Sequence, residues 1–241
     1  MTEYLKSKIK RILIFIGKNL MLHHSMSRKK VKSPIDLYLE AISKECYDFF
    51  KEHFKVANIF TSTEDIRNFA LNHALKYFNK ENLFLEFGVF KGHSINNFAQ
   101  ILKKKKFEIY GFDSFSGLEE DWISDDYNPA GTFALKKIPK LNSNVRLVVG
   151  PVINTLLDFL RKQNEKKIAF IHFDMDNYAP TKFVLTNVKP RLEKGAIIIF
   201  DEFYGYPNWK NHEFKAFQEV FNENEYSYIG FSQRQAVVNI N

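Results

Sequence analysis

The chain has 241 residues, 45% of them apolar, enough for one α/β core with an extension and no reason to require a second core. A single cysteine, Cys46, excludes an intrachain disulfide and a cysteine-rich zinc site, so thiol usage fits a reducing cytoplasm. The net charge of +7 is concentrated in residues 1–33, where nine Lys or Arg face one Glu; the remainder sums to −1, which argues against a basic nucleic-acid groove on the folded domain.

In that first segment Leu5, Ile9, Ile12, Leu13, Ile16 and Leu20 share one helical face, with Lys6, Lys8, Lys10, Arg11 and Lys18 largely off it. This predicts a basic amphipathic helix over part of residues 1–33. Its apolar run, 12–16, is far too short to span a bilayer, and no small-residue cleavage site follows. Three roles stay open for it: peripheral contact with the inner membrane face, packing on its own domain, or packing on a second copy in a homo-oligomer.

Ser33-Pro34 marks a break, after which residues 37–56 carry apolar side chains at helical spacing. A second helix is expected from Thr61-Ser62-Thr63, with Thr61 and Glu64 at capping-box spacing, to about residue 78. These helices, 34–80, are expected to cover one edge of a sheet, and residues 81–241 to form the catalytic domain. From residue 83 onward strands alternate with helices, the sign of a parallel sheet covered on both faces. The expected strands are 83–87, 107–112, 145–149, 167–173, 195–200, 226–230 and 235–239; the helices lie near 92–104, 152–163, 180–191 and 210–222.

Three strand ends carry the chemistry. FLEFGVFKGHSINNFA, residues 84–99, ends an apolar run in Glu86-Phe87-Gly88 and turns through Gly92 into a helix. The spacing Gly88-x-x-x-Gly92 lacks the Gly-x-Gly-x-x-Gly run of a dinucleotide loop. It resembles the first motif of class I S-adenosylmethionine-dependent methyltransferases, in which an acid closes the first strand and small residues admit the cofactor's methionine end. That resemblance implies a cofactor role for Glu86, Gly88 and Gly92, with Ser94 beside them. The next strand ends in Asp113, followed by Ser114. In a doubly wound sheet Glu86 and Asp113 would be neighbours at the crevice, where a carboxylate suits a ribose diol; the alternative is that Asp113 caps its own turn.

The third feature is acidic. His172-Phe173-Asp174-Met175-Asp176 and Phe200-Asp201-Glu202 close strands expected to be adjacent, about 4.8 Å apart. Carboxylates about 5 Å apart repel by roughly 3 kcal/mol at an effective dielectric near 20, so the cluster requires a proton, a basic partner or a cation. No Lys or Arg lies within these two turns, and oxygen-only donors favour magnesium, with manganese or calcium as substitutes. One or two of the acids could instead cap the following helices.

Taken in order, FLEFGVFKGHS, YGFDSFSGLEEDW, VRLVVGPVINTL and FIHFDMDNYAPTKFVLTNVKPRLEKGAIIIFDEF resemble the macrocin O-methyltransferase family over about residues 60–222. The resemblance implies a Rossmann-like class I fold with a seven-stranded, mostly parallel sheet, and magnesium-dependent methylation of sugar hydroxyls on bacterial natural products. It also implies Asp174, Asp201 and Glu202 as the metal set. Two departures stand out: Glu202 replaces the usual Asp, and Gly150-Pro151-Val152-Ile153-Asn154 lacks the acid usual in that loop.

The expected reaction moves the sulfonium methyl group to a hydroxyl of a small-molecule or glycan acceptor. Asp174 or Asp176 would take the proton, with His172 a second choice because it precedes the strand end. Trp122, Tyr127, Tyr204, Tyr206 and Trp209 are candidates for an acceptor wall, and residues 114–140 for a lid. A catechol-like diol is a rival acceptor, which an acceptor trial separates, and a non-catalytic scaffold is a rival class.

Overall fold

The computed structural model describes residues 32–241. The amphipathic helix expected within 1–33 therefore lies outside the described residues. Two units divide at Glu40, and the second, residues 41–241, carries everything that follows.

Helix α1, Pro34–Phe54, runs through that division, and in the second unit it buries Ile42, Cys46 and Phe50 one turn apart. Strand β1, Asn58–Ile59, follows it, and then helix α2, Thr63–Ala74. The cap of α2 is Ser62, whose hydroxyl accepts the Asp65 N–H at 3.3 Å, rather than Thr61. The remaining strands are β2 (Leu83–Phe87), β3 (Ile109–Asp113), β4 (Trp122–Ile123), β5 (Tyr127–Asn128), β6 (Val145–Val149), β7 (Ile168–Phe173), β8 (Leu192–Phe200), β9 (Tyr226–Phe231) and β10 (Ala236–Ile240). Helices α3 (His93–Lys103), α4 (Val152–Lys162), α5 (Tyr178–Val188) and α6 (Glu213–Val220) alternate with them.

Among the described residues the main sheet has the order β1-β9-β10-β8-β7-β2-β3-β6, and only β10 runs antiparallel to its neighbours. It is a Rossmann-like α/β sheet of eight strands rather than seven. The extra member is the two-residue β1 on the edge of β9, too short to leave a pattern in the sequence. The β4–β5 pair forms a separate antiparallel ribbon.

At the centre of the sheet both faces are buried, which is why β2 and β7 are mainly apolar and do not alternate, with Glu86 and His172 the polar exceptions. Leu83, Leu85, Phe87, Ile171, Phe173, Ile198 and Phe200 face the core built with α1, α4, α5 and α6. Phe84, Phe170, Ile197 and Ile199 face the other core, built with α2 and α3. The N-terminal helices are therefore integral to both cores and do more than cover an edge.

Parity along each strand sorts the polar residues too. Glu86, His172 and Asp201 share the α2/α3 side, whereas Glu202 continues on the other. Phe50 is fully buried among Phe203, Tyr204, Trp209, Tyr228 and Phe231. We expect Phe50→Ala to lower unfolding free energy by about 3–5 kcal/mol, read as a lower urea midpoint at unchanged slope.

Candidate active site

The carboxyl ends of β2, β3, β7 and β8 open onto one cleft. Gly88, Asp113, Ser114, Asp174, Asp176 and Glu202 line it, together with Phe90, Trp122 and Phe133 from the loops. Among the described residues the wall contains Asp113, Glu119, Asp174, Asp176 and Glu202 but no Lys or Arg. Such a surface favours a cationic or polyhydroxylated ligand over an anion.

The glycine loop is held by the sheet itself. Gly88 sits at φ 89°, and a Cβ there would meet the Asp174 carbonyl oxygen at 1.8 Å, so only glycine admits the close approach of the two loops. Gly92, at φ 77°, starts α3 and packs against Leu141, away from the cleft. Asp113 Oδ2 accepts the Val89 and Phe90 N–H groups at 2.8 and 2.7 Å, and Oδ1 accepts the Phe115 N–H at 2.7 Å. Asp113 is thus both the cap of its own turn and the clasp of the glycine loop, while still facing the cleft.

Glu86 does not stand beside Asp113 on the cleft. It is fully buried, with Oε1 accepting the Ser94 hydroxyl at 2.8 Å and Oε2 lying 3.2 Å from His172 Nδ1. On the other side of the imidazole, Nε2 is 3.5 Å from Asp201 Oδ1. Arg67, from α2, reaches the same oxygen at 2.5 Å, and the Gln235 amide donates to it from the end of β9–β10. Burial lowers the pKa of His172, but Asp201 and Glu86 outweigh it and hold it at about 9. His172 and Arg67 together hold the Asp201 carboxyl below the usual carboxylate range against the opposing effect of burial. His172, Asp174 and Asp201 also present ligand atoms within 4.8 Å of one another. The protonated imidazole and the arginine, however, already supply positive charge at Asp201. This changes the premise read from the sequence, where no basic residue stood near in the chain.

The acids on the cleft side behave differently. Burial, then Asp201, pushes Asp174 well above the usual carboxylate range. Burial, with Glu202 and Asp201, raises Asp176 to about 8, and its backbone is held at φ 60°, uncommon for a residue with a side chain. Glu202 rises to about 7 through burial, with Arg234, 3.3 Å away, opposing the shift. A cluster whose members resist ionisation together is poised to release protons when a cation enters.

Several participants were not evident in the sequence. Arg67, Arg234 and Gln235 come from distant segments, and Glu213, fully buried at the start of α6, accepts the Met175 N–H at 3.4 Å. Among the expected aromatic residues Trp122 lines the cleft and Tyr127 is exposed, whereas Tyr204, Tyr206 and Trp209 are buried in the core. The Tyr206 hydroxyl donates to the Glu202 carbonyl at 3.0 Å, so it supports the site from beneath. Phe90 and Phe133 replace them on the wall, meeting edge to face at 5.4 Å.

Residues 85–203 match the family model described as a methyltransferase domain. No curated protein sequence matches the chain. Among solved structures, the calicheamicin methyltransferase CalS11 is 22% identical, with 86% of this chain and 93% of that one covered at a TM-score of 0.60. The apo form of CalS11, described as a TDP-rhamnose 3'-O-methyltransferase, is 24% identical over 73% of this chain and 78% of that one, at 0.55. The O-methyltransferase NovP is 18% identical over 74% of this chain and 79% of that one, at 0.54. From the strand that carries Glu86 to the turn beyond Asp201 and Glu202, the chain matches the methyltransferase-domain family, and it is an enzyme with the class I methyltransferase fold.

Proposed function

We propose that the enzyme is an S-adenosylmethionine-dependent O-methyltransferase acting on a hydroxyl of a sugar or glycoside, with a divalent ion, magnesium or manganese, at the acidic rim. The observation that carries this reading is the cleft wall, five carboxylates and no basic residue around a glycine turn at the sheet's carboxyl edge. CalS11 and NovP, whose fold this chain shares, are described as O-methyltransferases, CalS11 of TDP-rhamnose.

The residues present fit both groups. A ligand carrying a sulfonium and an ammonium suits an all-acid wall, and the Gly88 turn leaves its backbone open to the cleft. On this reading Asp113 and Ser114, which line the cleft, would take the ribose, and Gly150-Pro151-Val152 the apolar base edge. For the ion, Asp174, Asp176 and Glu202 offer oxygen donors on the cleft, with Asp201 behind them in its arginine and histidine pairs.

When bound, S-adenosylmethionine supplies an electrophilic methyl group on sulfur. A divalent ion, when bound, supplies Lewis acidity that lowers the pKa of an acceptor hydroxyl. The chain's own residues then have three tasks. Asp174 or Asp176 would accept the hydroxyl proton as the C–O bond forms and the bond from sulfur to the methyl carbon breaks. Phe90, Trp122 and Phe133 present flat apolar surface to a sugar ring and exclude water from the line of transfer. Glu86, His172 and Arg67 stay beneath the cleft and fix Asp201 and the adjoining turn.

Calorimetric titration should show S-adenosylmethionine and S-adenosylhomocysteine binding in the absence of acceptor. Asp113→Asn should weaken that binding by about 1–3 kcal/mol with the circular dichroism spectrum unchanged, because it loosens the clasp on Val89 and Phe90. Binding of NAD without binding of either sulfur ligand would overturn the cofactor assignment.

A panel of sugars and catechols, assayed with and without a chelator, addresses the chemistry. Chelation should abolish transfer to the sugar while leaving cofactor affinity within about twofold, and Asp174→Asn should do the same. Full turnover by the Asp174→Asn variant in chelator would remove the ion from the reaction, and turnover of catechols alone would remove the sugar.

A further inference from the structure

We propose that Arg234 is a positioning residue that latches the excursion between β3 and β6 over the cleft, by bridging Asp125 at the excursion's tip to Glu202 on the cleft wall. The latch is a property of the fold; its effect on catalysis rests on the methyltransferase reading given above.

The excursion, residues 115–135, is a self-supporting flap. Its base is closed by Leu135 N–H to the Phe115 carbonyl at 3.0 Å, Leu118 N–H to Thr132 at 2.9 Å and Gly131 N–H to Leu118 at 2.9 Å. Within it, Asp121 accepts the Ala130 N–H at 2.9 Å and the Tyr127 hydroxyl at 2.8 Å, which fixes the β4–β5 ribbon. The flap carries Leu118, Glu119, Trp122 and Phe133 of the cleft wall. Its internal bonds define its shape but not its position on the body.

Position comes from contacts with the body: Phe133 meets Phe90, the His212 side chain bonds the Ile123 backbone, and two further contacts lie near the tip. Trp122 meets the buried Tyr206 ring edge to face at 6.2 Å. Arg234 Nη2 pairs with Asp125 Oδ2, while Nη1 lies 3.3 Å from Glu202 Oε2. Arg234 is itself well anchored: its carbonyl accepts the Phe203 and Tyr204 N–H groups at 2.9 and 3.3 Å, and its guanidinium lies 5.6 Å over the Tyr206 ring. A planar guanidinium holds two carboxylates in fixed directions at once; an ammonium is a point charge without that fork. The bridge therefore sets where Trp122 and Phe133 stand relative to Glu202, the distance an acceptor must fit.

Hydrogen exchange of the full chain, read by mass spectrometry, tests the latch without depending on turnover. Arg234→Gln and Asp125→Asn should each speed exchange in peptides spanning 117–132 by about tenfold, leaving β2 and β7 unchanged. The double variant should add nothing to either single, since one bridge has been removed in all three. Arg234→Lys should fall between wild type and Arg234→Gln. Unaltered exchange in that segment for Asp125→Asn, a substitution at a half-exposed side chain and thus safe for folding, would overturn the latch, as would effects that multiply in the double variant.

With a sugar that the enzyme accepts, the latch variants should raise the acceptor KM several-fold while S-adenosylhomocysteine affinity changes by less than about twofold. A fall in kcat at unchanged KM would overturn the positioning role. Failure of S-adenosylhomocysteine to bind the wild type would defeat the cofactor assignment while leaving the exchange result for the latch to stand.

Discussion

The row Glu86, His172, Asp201 and Arg67 is the constraint on which the rest of the site depends. Four ionisable groups from β2, β7, the β8 exit and α2 meet at the upper edge of the α2/α3 core, Glu86 and His172 fully buried and Arg67 and Asp201 partly buried. Isolated charges there would cost several kcal/mol each, so none of these residues is tolerable without its neighbours. Because each comes from a different element, satisfying the row fixes the relative heights of three strands and one helix. Asp174, Asp176 and Glu202 then inherit their positions from strand ends that cannot slide.

The same row explains why acids adjacent in the chain take different roles. Asp201 continues the parity of Ile197 and Ile199 and turns inward to cations; Glu202 continues that of Ile198 and Phe200 and turns to the cleft. One residue of displacement separates a group held ionised by its partners from one pushed up to about 7 by burial. Glu202 meets Arg234 at 3.3 Å while lining the wall.

Much of the fold was legible in the sequence, for a physical reason. Central strands of a parallel sheet are buried on both faces, so 83–87 and 167–173 stand out as mainly apolar runs with clear ends, interrupted by Glu86, Lys167 and His172. That same double burial hid the parity of Asp201 and Glu202, since no polar alternation marks which face is which. Two-residue strands such as β1 and β4 carry no pattern at all. The acids themselves were visible because they cluster at strand ends, but their partners were not. Arg67 lies 134 residues from Asp201 and Gln235 lies 34 away, and no local propensity encodes a contact across such separations. Glu86 was placed on the cleft by its motif, whereas the nearby imidazole of His172 draws it inside.

Gly88 pressed against the Asp174 carbonyl has a mechanical meaning. The turn that opens to the donor ligand and the turn that carries the candidate base share a wall with no side chain between them. Any displacement of one is transmitted directly to the other, with no rotamer to absorb it. The two half-sites are therefore joined in one block, and the flap above them is held separately, through its own contacts with the body.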